Sequence, residues 1–150
     1  MPTSIELLRR MPEDRFHQVV LSSPKKFREE VFRRAGIKNK GGGAFSLTSN
    51  AKTEVRSQRL YAALQEDTEV TPEIAAEMIR NYLYTRRDLL AEALDYFQVP
   101  HDHGLTNDDL DFMADLALDK AQRLEELLKR KHDPVDVELY LDFMNIKRAG

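Results

Sequence analysis

The chain has 150 residues, 41% apolar and 33% charged, with a net charge of −3 and no cysteine. That length suits one domain able to bury a core. The missing cysteine excludes disulfides, thiolate nucleophiles and cysteine-containing zinc sites, and no apolar run approaches the roughly 18 residues of a membrane span.

In chain order, the N-terminal stretch MPTSIELLRRMPED lacks an apolar core of signal-peptide length, so no secretion signal is expected and the cytoplasm is the expected location. A short apolar helix near Ile5 precedes a further helix and then Ser23-Pro24. Proline at a first helical position loses no hydrogen bond, and the serine before it is a capping type. The pair predicts a helix over 24–35, with Phe27, Val31, Phe32 and Ala35 on one face and Gly36 ending it.

In that helix Lys25 and Glu29, Lys26 and Glu30, Glu29 and Arg33, and Glu30 and Arg34 are i,i+4 partners. Each such pair contributes about 0.2–0.5 kcal/mol. Much of the basic charge is therefore expected to be satisfied locally.

Residues 36–52, GIKNKGGGAFSLTSNAK, form a glycine-rich basic loop without an acid, expected to be the most mobile part. A phosphate-binding loop would need lysine where Gly42 stands, and a dinucleotide loop would need glycine where Ser46 stands. Val55, Leu60, Tyr61 and Leu64 then predict a helix over 53–65.

Thr71-Pro72 opens the next helical region, with Ile74, Met78, Ile79, Tyr82 and Leu83 on one face. Thr85 and Asp88 make an approximate capping box before Leu89, Leu90, Ala93, Leu94 and Phe97. Residues 72–97 are thus one long helix or two.

The stretch VPHDHGLTNDDLDF, 99–112, holds two histidines and four aspartates. A metal site would be built from His101, His103 and Asp108, with Asp102, Asp109 and Asp111 nearby. The spacing fits no established geometry: an EF-hand started at Asn107 needs glycine where Phe112 stands and glutamate where Leu118 stands. No metal and no cofactor is expected. The stretch reads instead as a helix entrance, with Thr106 as cap and the aspartates favoured by the positive helix end.

Ala121, Leu124, Leu127 and Leu128 mark a further helix. Residues 135–143, VDVELYLDF, alternate like a strand, but Asp133-Pro134 before them and Lys147-Arg148 after them predict a helix. Its apolar residues wrap more than one side, as in a buried helix. The order of short helix, helix and Ser/Asp-Pro helix at 5–35 returns at 110–146 as a faint echo.

The expected fold is all-α: a compact single-domain bundle over 1–150, with six to eight short helices and one glycine-rich loop. Residues 1–60 carry 13 Lys+Arg against 6 Asp+Glu, and residues 61–150 carry 10 against 20. With no nucleophile elbow and no metal pattern, the expectation is a non-enzymatic interaction or regulatory protein that binds a protein partner or itself. The alternative is a nucleic-acid-binding accessory protein, with Arg28, Lys38, Lys40 and Lys52 contacting phosphates.

Overall fold

A computed structural model describes residues 2–37, 49–66 and 69–148, the side chains of 49–52 excepted. The protein is all-α. The described residues form eight α-helices and one 3-10 helix, without strands. They separate into two compact units, Pro2–Tyr82 and Leu83–Gly150.

The first unit holds α1 (Ser4–Arg10), α2 (Glu13–Ser22), α3 (Lys25–Arg34), α4 (Ser49–Leu64) and nearly all of α5 (Pro72–Leu83). Its core includes Leu8, Phe16, Phe32, Leu60, Leu64 and Tyr82, all fully buried. α4 packs on both α1 and α2, and the Phe16 and Tyr61 rings meet at 5.1 Å. Tyrosines packed into a core keep their hydroxyls bonded, here the half-buried Tyr61 and the fully buried Tyr82. Tyr61 donates to the Met11 carbonyl at 2.8 Å, and Tyr82 Oη accepts from the Arg15 guanidinium at 3.0 Å.

The second unit holds α6 (Arg87–Tyr96), the 3-10 helix Asp111–Asp115, α7 (Leu118–Lys129) and α8 (Pro134–Phe143). α7 packs on α6 and on α8, burying Ala93, Leu124, Leu128, Val137 and Leu141. The question of one helix or two over 72–97 resolves as α5 and α6. Residues 135–143 are helical, and Val137, Leu139, Tyr140 and Leu141 are buried, so tertiary burial overrides the alternating pattern.

The proline punctuation works at two of three places. The Ile74 N–H donates to Thr71 Oγ1 at 3.3 Å, and the Val135 N–H to Asp133 Oδ1 at 2.8 Å. Ser23 does not cap α3. Pro24 is extended there (ψ 149°), and the two-residue link from α2 turns the buried Ser23 hydroxyl back toward the Val19 carbonyl. At α6 the N-cap position is Arg86, one residue beyond Thr85, and the Arg86 side chain makes no cap bond.

Gly36 ends α3 as expected. At φ +75° it lets its own N–H reach the Arg33 carbonyl and the Ile37 N–H reach the Phe32 carbonyl. Asn145 (φ 59°) closes α8 with the same pair of bonds, to Asp142 and Leu141. Gln98 (φ 58°) closes α6 with the same pair of bonds, to Asp95 and through Val99 to Leu94, so this stop is general to the chain and not particular to the echo between 5–35 and 110–146.

Of the i,i+4 pairs expected on α3, Glu30 joins Arg34 at 3.0 Å and also Arg33 at 2.5 Å. Glu29 turns elsewhere. It accepts two bonds from Arg56 of α4, at 2.9 and 2.5 Å, while the Arg56 guanidinium lies 4.2 Å from the centre of the Phe32 ring. A planar fork stacked on an aromatic ring outcompetes a flexible neighbour on the same helix.

Candidate interaction surface

Residues 97–117 join α6 to α7 with only a short 3-10 helix of their own. The expected helix from Thr106 is absent because short polar side chains take the backbone donors first. The Asp108 N–H donates to Thr106 Oγ1 at 3.1 Å, and the Asp111 N–H to Asp109 Oδ1 at 2.8 Å. Only the short 3-10 helix follows, and α7 begins at Leu118.

This segment is pinned at several points. Gln98 (φ 58°) closes α6, with the Val99 N–H on the Leu94 carbonyl, and Pro100 cannot continue a helix. Asp102 and Leu105 exchange both backbone bonds, at 2.8 and 3.0 Å. Between them Gly104 (φ +87°) presses on α6: a Cβ there would lie 2.8 Å from the Arg87 carbonyl oxygen and 2.9 Å from Leu90 Cβ.

His101 clamps the turn. Its Nδ1 accepts the Gly104 N–H at 3.0 Å, so the ring proton is on Nε2, which donates to Asp95 at 2.7 Å. Further on, Met113 is fully buried and its sulfur receives the Tyr140 hydroxyl at 3.8 Å. Burial there pushes the Tyr140 phenol well above its ordinary value.

Out of this fixed backbone project apolar side chains. Leu105 is 36% exposed, Phe112 41% and Leu118 52%, three of the five large apolar residues exposed among those described. Phe112 meets Phe97 edge-on at 5.2 Å, Phe97 meets Tyr96 at 5.0 Å, and Lys120 Nζ lies 5.6 Å from the Phe97 ring centre. Asp102, Asp108, Asp109, Asp111, Asp115 and Asp119 are exposed among them.

His101 has both ring nitrogens engaged, and the exposed His103 faces Asp102 at 3.7 Å. Asp108 is exposed in the Thr106 turn. Among the described residues no three His, Asp or Glu side chains come together as metal ligands.

The basic residues singled out in the sequence are not assembled into a described site. Arg28 is half-buried on α3 beside Glu29, whose charge it favours. Lys38 and Lys40, with most of the glycine-rich loop, lie outside the described residues. Lys52 falls within α4, its side chain not described.

A polar cleft of about 370 Å³ also opens in the second unit, where the start of α6 meets the α7–α8 link; its lining includes Arg86, Arg87, Lys131, His132, Asp133 and Asp136. Two of its charged side chains are paired. Arg86 Nε donates to the buried Asp136 at 3.0 Å, and His132 Nε2 stands 2.8 Å from Glu92, outside the lining. Such pairs hold helices together.

The sequence reading took 99–112 as a helix entrance and missed the exposed apolar residues. The available signal was the sign of the charge: from 88 to 119 there are nine Asp+Glu and no Lys or Arg, with Leu105, Phe112 and Leu118 interspersed. No protein-family model, curated protein or solved structure matches this chain.

Proposed function

We propose that this is a non-enzymatic interaction or regulatory protein of the cytoplasm, and that it binds a protein partner through the surface of residues 97–119. The carrying observation is Phe112, held half-out of the fold on a backbone fixed by Gly104, His101 and Met113. A large apolar side chain gains about 1.5–3 kcal/mol when fully buried, so a rigid exposed one is a ready anchor. Pre-fixed backbone also lowers the ordering cost of association.

Affinity purification from the native cell, wild type against a Phe112→Ser, Leu118→Ser double variant, tests this. A partner retained by the wild type and lost by the variant, with the helical circular-dichroism spectrum kept, is the expected result. Identical retained sets contradict it. Nucleic acid recovered with both forms would favour the alternative through Arg28, Lys38, Lys40 and Lys52.

A further inference from the structure

We infer that the occupant of the Phe112 surface is a basic segment with apolar anchors, belonging to a partner protein; this rests on the docking role proposed above. Aspartates alone would not mark a site. Here exposed aspartates flank the part-exposed Phe112 on both sides in the chain, and the two features together specify the chemistry of what fits.

The first argument is sign. Of the nine acids between 88 and 119, Glu92 is bound to His132 and Asp95 to His101. Asp108, Asp109, Asp111, Asp115 and Asp119 form no ion pair among the described residues. An acidic protein, a nucleic acid or an anionic membrane would meet this face with like charge, whereas a lysine- or arginine-bearing segment is steered toward it.

The second argument is the aromatic ladder. Lys120 already lies over the face of Phe97, the ring against which Phe112 packs, so a cation on an aromatic is part of this surface as built. A partner's lysine or arginine can extend that stack over Phe112 while its carboxylate neighbours balance the charge. The partner's apolar residues then cover the exposed parts of Phe112 and Leu118, 41% and 52% of each residue.

The test is an NMR titration of the ¹⁵N-labelled full chain with a short amphipathic peptide of lysines and leucines. Two control peptides keep the length: one replaces leucine by serine, the other lysine by glutamate. The expected result is saturable shifts concentrated at 105–119, weakened by salt and absent with both controls. Phe112→Ser should lower the affinity about tenfold, the loss of one anchor. Asp115→Asn with Asp119→Asn, which keeps side-chain shape, should weaken binding and flatten its salt dependence.

Equal binding of the serine control, shifts spread over the chain, or indifference to both variants would overturn the inference. So would shifts that appear with calcium alone and are unaffected by peptide. If the peptide fails while a protein still crosslinks at position 112, the chemistry assigned to the partner is wrong and the docking role stands. If both fail, both fall.

Discussion

Gly104 and Gly36 both occupy left-handed backbone, but their surroundings differ. At Gly36 nothing stands within 4 Å of an added Cβ, so Gly36→Ala costs only conformational strain, about 1 kcal/mol. At Gly104 the same methyl also collides with the Arg87 carbonyl and Leu90, so Gly104→Ala costs about 3 kcal/mol from strain and overpacking together. Urea midpoints of the two variants check the order; equal losses would mean that the turn does not press on α6. Gly36 was legible as a helix stop because the signal is local. Gly104 was legible only as a helix breaker, since its contact with α6 depends on a fold that brings residues 14 and 17 positions apart together. His101 shows the same limit. A histidine among aspartates suggests a metal, and only the Gly104 N–H on Nδ1 shows a structural clamp.

At the scale of elements, helices with strong caps were readable and links were not. Thr71-Pro72 and Asp133-Pro134 cap through bonds spanning two or three residues, well within what spacing reveals. Residues 106–117 defeated the same logic because threonine and aspartate cap turns as readily as helices. The Glu29–Arg56 pair spans 27 positions and displaced the partners that spacing assigned to Glu29. It has a pH signature. The hydrogen bonds from Arg56 hold the Glu29 carboxyl below its ordinary value of 4.5. A lowered folded pKa means that the unfolded chain binds the proton more readily, so this contribution is present above pH 4.5 and is lost as pH falls through the folded value. Glu29 is partly exposed, so the loss is less than about 1 kcal/mol. Glu29→Gln should destabilise at neutral pH and make the acid limb of the stability profile shallower. Parallel wild-type and variant profiles would show that the pair contributes nothing.

Across the whole molecule, charge follows the units less sharply than it follows the sequence halves. Pro2–Tyr82 carries 14 Lys+Arg against 11 Asp+Glu, while Leu83–Gly150 carries 9 against 15. The concentrated feature is narrower than either unit: the run 88–119, with nine acids and no Lys or Arg, in which residues 97–117 form the pinned link and Leu118 and Asp119 open α7. The all-α class was legible because apolar side chains recur at helical spacing along the chain and local caps mark α5 and α8. The docking surface was not, because hydropathy says which side chains prefer burial and not which one the backbone holds outside. The central claim, that Phe112 marks a protein-docking surface, is tested most directly by placing a photo-crosslinking phenylalanine at position 112 in the native cell. Position 21, where an exposed leucine lies in the other unit, is the control. The account predicts a discrete protein adduct at 112 and none at 21. No adduct at 112, or the same adducts at both positions, would contradict it.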